Sequence, residues 1–286
     1  MPVTPPVVLT IAGFDPSSGA GVSADLKTIA AHECYGIACI TALTIQSTRG
    51  VRRMEAISAK TITETLDELV SDFTVAAVHI GMLGDEEVTG TVADFLQRSK
   101  LPHVVLDPII KSSSGADLLN SAGIRLLIET LLPLAELVTP NLDEAAVLAG
   151  IAVTNLDEMR QAAAKLHALG AANVVVTGGH LDKATDLLSF TTTRGAETEV
   201  FKADRQRSKS THGTGCAFST ALACHLAHGR GLPEAVLLSK AYVSAAIANA
   251  YPVGHGNGPL HHLYRMGQQR RASAIISEAE HAHARN

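Results

Sequence analysis

The stretch Ser210–Leu226, STHGTGCAFSTALACHL, sets two glycines around a threonine, follows them with a cysteine, and then turns apolar at helical spacing. That pattern predicts a helix whose first N–H groups, those of Gly213, Thr214, Gly215 and Cys216, have no intrahelical partner. Such an end carries about half a positive charge and is a ready anion site. The same field favours thiolate over thiol, so Cys216 is expected below the free cysteine pKa of about 8.5, as a base or nucleophile facing an anion. The plain alternative is a small buried hydrophobe, which is the reading given to Cys34, Cys39 and Cys224.

Acidic residues stand at two other places where chemistry could occur. Leu106-Asp107-Pro108 follows an apolar run, and so does Thr139–Glu144, TPNLDE. Asn141 and Glu144 are three apart at a helix start, which fits an N-cap with its capping box. Asp107 alone fits an Asx-type turn. Together they also fit a hard cation such as Mg²⁺, which takes one or two carboxylates plus substrate phosphates.

A third candidate is the glycine-rich segment AGFDPSSGAGVSADLKT, residues 12–28. Gly19, Gly21 and Ala24 match G-x-G-x-x-A, but several residues separate them from the preceding strand. No Asp or Glu closes the second strand, which ends on Gln46, Ser47 and Thr48, so the dinucleotide fingerprint fails. A Walker A motif fails as well, since no Lys-Ser or Lys-Thr follows the glycines. The segment reads as a helix start that a small ligand can approach closely, with Asp25 one turn inside, or as a plain βα turn.

Positioning these residues is the work of alternating elements. Val7–Gly13, Gly36–Gln46, Val75–Met82, His103–Asp107, Glu136–Thr139 and Asn173–Thr177 read as buried strands. Helices are predicted near 21–33, 61–73, 85–98, 121–132, 142–149, 155–169, 213–229 and 232–251. Asp186–Thr193 and Thr198–Ala203 suggest a hairpin at the sheet edge. Alternation implies right-handed crossovers and an α/β fold with a mostly parallel sheet covered on both faces, where ligands gather at the carboxyl ends of strands.

With 286 residues, 46% hydrophobic and 18% charged, one α/β domain spanning 1–286 is expected. A net charge of −5 and a pI near 6.2 offer no basic field for nucleic acid. The absence of a long apolar run or a signal-like start predicts a soluble, cytoplasmic protein without membrane association. Four cysteines without C-x-x-C spacing are expected to be reduced thiols. The histidines of GHGNG (254–258), His261, His262 and the EHAHARN end read as surface or neutral groups, whereas His212 abuts the anion site. Lys111–Gly115, KSSSG, reads as a flap or a solvated loop. The tail 266–286 reads as a short amphipathic helix.

Taken in order, AGFDPSSGAGVSADLKT, ITALTIQSTRGV, IGMLG, VVLDPI, TPNLDEA, GGH and HGTGC resemble the hydroxymethylpyrimidine/phosphomethylpyrimidine kinases of thiamine biosynthesis. These are members of the ribokinase-like superfamily, and the match runs from about residue 8 to about 265. The resemblance implies a three-layer sandwich and an ATP- and Mg²⁺-dependent kinase acting on 4-amino-5-hydroxymethyl-2-methylpyrimidine and then on its monophosphate, as a homodimer. It further implies Cys216 as base, with the amides of Gly213 and Gly215 forming the anion hole. Asp25, Gln46, Met82 and Ile109 would lie at the pyrimidine, and Asp107, Glu144 and Asn141 at Mg²⁺ and the ATP phosphates. Lys240 would lie near the nucleotide.

Some positions depart from the family pattern. Thr177 stands where relatives usually carry a lysine that reaches the phosphates, which bears most on the second, more anionic substrate. Phe14 and Ser18 replace a commoner Ser and Gly. Pyridoxal kinases of the same superfamily and a non-catalytic pyrimidine sensor are the alternatives, and a dinucleotide oxidoreductase comes last.

Overall fold

The computed structural model describes residues 4–179, 181, 183–193, 195–206 and 208–266. Nine strands form one sheet in the order β3-β2-β1-β4-β5-β6-β7-β8-β9. They are β1 Val7–Phe14, β2 Tyr35–Ser47, β3 Gly50–Ala56, β4 Val75–Ile80, β5 Val104–Leu106, β6 Leu137–Val138, β7 Val174–Gly178, β8 Ala184–Thr192 and β9 Gly195–Ala203. The run from β2 to β7 is parallel, and antiparallel β3 at one edge and β8–β9 at the other complete it. Strand order reverses between β1 and β4, which opens a crevice at their carboxyl ends.

The helices are α1 Gly21–Ala31, α2 Ala59–Asp72, α3 Glu86–Ser99, α4 Ser121–Leu126, α5 Leu142–Ala149, α6 Leu156–Ala168, α7 Thr214–Ala227 and α8 Leu232–Ala248. Side-chain alternation in the central strands sorts them into two layers. Leu9, Ile11, Val78, Ile80, Leu106, Val138, Val174 and Val176 face one core, together with residues of α2 to α6. Val8, Ala77, Val105, Leu137 and Val175 face the other, with α1, α7 and α8. Burial on both faces explains why these strands read as unbroken apolar runs. Helix α7 buries ten of its fourteen residues. It is apolar all round because the sheet lies beneath it and α1 and α8 pack beside it.

The expected strands and helices are present, and the expected hairpin is β8–β9. Strand β3 has no counterpart in the sequence reading, since VRRMEA is an exposed edge without an apolar stripe. The predicted helix over 121–132 is α-helical only to Leu126; its ladder then widens to a π-turn over Leu127–Leu131 and tightens into a 3₁₀ turn holding Pro133. The tail from 267 onward lies outside the described residues. Among the described residues, no helix is long and apolar enough to cross a membrane.

Candidate active site

The loop between β1 and α1 is built around one buried carboxylate, Asp15. Its oxygens accept bonds from Ser17 N (2.8 Å), Ser17 Oγ (2.7 Å), Gly19 N (3.2 Å), Ala20 N (2.9 Å) and His212 Nε2 (2.8 Å). Burial works to raise its pKa, but the bonds from His212 and Ser17 win and hold it below the usual carboxylate range. The loop thereby brings the N-terminus of α1 against that of α7. Two glycines allow the approach. Gly21, at φ +55°, would put a Cβ 2.2 Å from Gly13 O, and Gly213, at φ +80°, would put one 1.9 Å from Gly19 O. No other residue fits either place.

Gly213 is the N-cap of α7, as the sequence predicted to within a residue. Among the described residues, the N–H groups of Gly213, Gly215 and Cys216 meet no backbone carbonyl, whereas Thr214 N bonds Thr211 O and Ala217 N bonds Gly213 O. The anion-binding end expected of this helix is therefore open. Cys216 sits just inside it, 8% exposed, with the Gly21 N–H directed at its sulfur.

The ionisation expected of Cys216 is corrected by its surroundings. Burial, then the charges of Asp107 and Asp25, push the thiol well above its ordinary range, and the Gly21 amide only partly opposes them. A helix N-terminus of about half a charge does not overcome burial beside carboxylates. The resting form is the thiol, and the charges that hold it there are the ones a divalent cation would offset.

Asp107 follows β5 directly and is 4% exposed. Its Oδ2 has no protein partner, and it faces Gly215 closely enough that a Cβ there would stand 3.7 Å away. Burial, Glu144 and Asp25 raise its pKa well above the usual range. Glu144 is raised to about 7, chiefly by burial, against bonds from the Asn141 and Ile110 backbones. Asn141 Oδ1 accepts from Glu144 N at 2.9 Å while Glu144 Oε2 accepts from Asn141 N at 2.9 Å, so the capping box of TPNLDE exists. Capping and site chemistry are not alternatives here, because the box fixes Glu144 in a place from which its charge reaches Asp107. Two buried acids that repel each other, one with an orphan oxygen, fit a hard cation completed by phosphate and water. Among the described residues, no cluster of three or more His, Cys, Asp or Glu could cage a metal ion.

Met82 is buried against Ala42 and Leu118, and Ile109 packs on the same small apolar patch. Gln46 Oε1 accepts from Thr44 Oγ1 at 3.1 Å, and its Nε2 lies 3.1 Å from His212 Nε2. Gln46 lies near the end of β2, and Met82 and Ile109 follow β4 and β5, so all three stand at the carboxyl side of the sheet. Asp25 is placed differently. It is fully buried, with Oδ2 taken by Thr10 Oγ1 (2.8 Å) and Oδ1 by Thr220 Oγ1 (2.9 Å), and His79 Nδ1 stands 3.4 Å away. From there its charge acts on Cys216 and Asp107.

Lys240 is not an open cation either. Its Nζ donates to Asp186 Oδ2 at 2.7 Å, and Asp186 Oδ1 accepts from Gly178 N at 3.1 Å. Because Asp186 pairs with Thr177 across β7 and β8, this buried ion pair sits beside the position that lacks a lysine.

The residue that sequence reasoning undervalued is His212. Besides Asp15 and Gln46 it contacts Ser113 Oγ through Nδ1 at 3.2 Å, so one ring joins the first loop, the end of β2 and the KSSSG segment. That segment is folded over the site, with Ser114 against Gly50. A further segment closes the same side: Asn257 N bonds Thr48 O at 2.8 Å, Gly256 N bonds Thr48 Oγ1 at 3.1 Å, and His212 N bonds Gly258 O at 3.1 Å. Asp15 carried a usable signal, an Asp heading a Pro-Ser-Ser-Gly turn. The Thr48 contacts are long-range and left none. His262, read as a surface or neutral residue, is buried and held neutral, its pKa pushed down to about 4 by burial.

A parallel-centred sheet clad on both faces, with an anion-binding helix end opposite paired acids at the strand ends, defines a ribokinase-like phosphotransferase. A family model described as phosphomethylpyrimidine kinase matches residues 15–261. The chain belongs to that family. It is 41% identical to the hydroxymethylpyrimidine/phosphomethylpyrimidine kinase of Streptomyces coelicolor over 93% of its length and 98% of the relative's. It is 42% identical to a thiamine biosynthesis bifunctional protein of Geobacter sulfurreducens over 90% of its own length, and spans 52% of that longer protein. Among solved structures, the ADP complex of Bacillus subtilis pyridoxal kinase superposes with a TM-score of 0.82 at 33% identity, covering 92% of this chain and 100% of that one.

Proposed function

We propose that the chain transfers the terminal phosphoryl group of ATP, with Mg²⁺, to the alcohol of 4-amino-5-hydroxymethyl-2-methylpyrimidine and then to the resulting monophosphate, giving the pyrophosphate used in thiamine synthesis. The observation that carries this reading is the meeting of free N–H groups, Cys216 and the unpartnered Asp107 oxygen at the start of α7. Phosphoryl transfer asks for alignment and for donors where charge develops, with little covalent chemistry.

The amides of Gly213 and Gly215 receive the oxygens of the migrating group. Asp107 and Glu144, the latter set by Asn141, are the residues that would hold Mg²⁺, which would supply positive charge against the phosphates. Gln46 bonds the pyrimidine edge, Met82 and Ile109 form its apolar wall, and Lys240, through Asp186, orders the β7–β8 corner on the nucleotide side. Cys216 acts as base in its thiolate form: with the neighbouring carboxylate charge offset, the thiol first gives its proton to solvent, and the thiolate then takes the alcohol's proton as the alcohol attacks. The monophosphate is already a nucleophile bearing roughly 1.5 to 2 negative charges and needs no base. The whole chain serves as one kinase domain and works as a homodimer, for which the exposed Tyr35, Leu43 and Ile45 on β2 offer an apolar stripe.

A second reading, phosphorylation of pyridoxal, is favoured by the likeness to the Bacillus subtilis enzyme. Product analysis with Mg·ATP and a panel of the hydroxymethylpyrimidine, its monophosphate and pyridoxal tests both. Monophosphate and pyrophosphate products support the proposal. Turnover of pyridoxal alone supports the second reading, and binding without turnover of any of the three overturns both.

A further inference from the structure

At the far end of α7 from the candidate active site, a second group of reactive side chains has no part in phosphoryl transfer. Cys34 lies in the turn between α1 and β2, where Glu33 adopts φ +59° and Cys34 N bonds Ile29 O at 3.2 Å. Cys224 lies on α7, fully buried, and its side chain interacts directly with that of Cys34. His228, which caps the same helix, places Nε2 3.3 Å from Cys34 Sγ and 2.9 Å from the His32 carbonyl oxygen. Its N–H is thus within reach of the sulfur as well as the carbonyl. His32 and His225 stack edge to face beside the group, each with a buried Nε2 that has no partner.

We propose that Cys34 and Cys224 form an oxidisable thiol pair, in which hydrogen peroxide oxidises Cys34 and Cys224 resolves the product to an intramolecular disulfide. In the first step the Cys34 thiolate attacks one peroxide oxygen, the O–O bond breaks, and the hydroxide that leaves is protonated to water. In the second, the Cys224 sulfur attacks the Cys34 sulfenic sulfur, the S–O bond breaks, and the departing hydroxide takes the Cys224 proton. Two thiols and one peroxide give one disulfide and two waters.

The neighbours of the four cysteines single out Cys34 as the one oxidised first; burial and then Cys34 itself push Cys224 well above its ordinary range, which suits it only to the second step. Contact with Cys224 and then the nearby His228 bring the Cys34 thiol down to about 7, against burial and the charge of Glu33. A thiol that ionises near ambient pH is the most effective attacker. Cys39, whose sulfur meets only the Ile62 carbonyl at 3.9 Å, is pushed up to about 12 by burial, and Cys216 is higher than its ordinary range for the reasons given above. Cys34 also retains 8% exposure, whereas Cys224 is wholly buried. The bond would tie the carboxyl-side ends of α1 and α7, whose amino ends meet at the site.

The test is peptide mapping of the folded full-length wild-type protein after a short exposure to a few equivalents of hydrogen peroxide, quenched by alkylation. The expected result is a linked peptide pair containing Cys34 and Cys224, cleaved by reductant, with Cys39 and Cys216 alkylated. Cys224→Ser should instead leave Cys34 as a sulfenic acid that a dimedone probe captures, and Cys34→Ser should leave Cys224 unmodified. Because the wild-type map needs no variant, a substitution that fails to fold leaves the test intact. Oxidation of Cys216 or Cys39 ahead of Cys34, or a Cys34 sulfenic acid that persists in the wild type without forming the cross-link, overturns the proposal.

Discussion

Replacing Glu144 with Gln separates what this side chain does for the fold from what it does for the reaction. Its carboxyl titrates at about 7 in the folded chain against an ordinary 4.5, because burial disfavours its charge. Between those values the unfolded chain is ionised and the folded chain still holds the proton, so stability falls as pH rises from about 4.5 to about 7 and stays lost above. At roughly 1.4 kcal/mol per tenfold, the cost at pH 8 is about 3 kcal/mol. Gln keeps the capping box, since its amide oxygen can accept from Asn141 N as Oε2 does now. It also spares Asp107 a like charge. Urea denaturation of the metal-free protein should therefore show Glu144→Gln more stable than wild type by about 3 kcal/mol at pH 8, and equal to it near pH 4.5. Kinase turnover should fall by at least a hundredfold. Stabilisation of equal size at both pH values, or none at pH 8, would refute the reasoning, since neither could come from a buried carboxylate's charge.

Other consequences are quicker to state. Cys216→Ala should depress phosphorylation of the alcohol far more than that of the monophosphate, and separate assays that show equal losses would leave the thiol as a positioning group only. Gly213→Ala forces a Cβ onto Gly19 O at a left-handed φ and should cost more than about 3 kcal/mol in thermal or chemical unfolding. Lys240→Met leaves Asp186 buried and unpaired and should cost about 3–5 kcal/mol, most of it recovered when Asp186 is also made apolar. Thr177→Lys places a second cation beside Asp186; it should quicken monophosphate phosphorylation, and an unchanged rate would show that the missing lysine is already compensated.

Central strands and amphipathic helices were legible because each writes its burial into a local period. Strand β3 was not, since an exposed antiparallel edge is held by its turn and its ladder rather than by an apolar stripe. Around the candidate site, spacing gave the helix start at Gly213, and the capping pattern gave the box of Asn141 and Glu144. Spacing put Asp25 one turn into its helix but could not show its bonds to the hydroxyls of Thr10 and Thr220, which are distant in sequence. The ionisation of Cys216 was misjudged for a related reason, since the helix end is a local feature while Asp107 and Asp25 arrive from other strands and helices.

The junction at His212 and Thr48 has a mechanical consequence. Five stretches of chain far apart in sequence are pinned to one another there, largely through main-chain atoms and a single imidazole. Moving any one of them breaks bonds that hold the others, so a disturbance at one strand end is passed to all the rest.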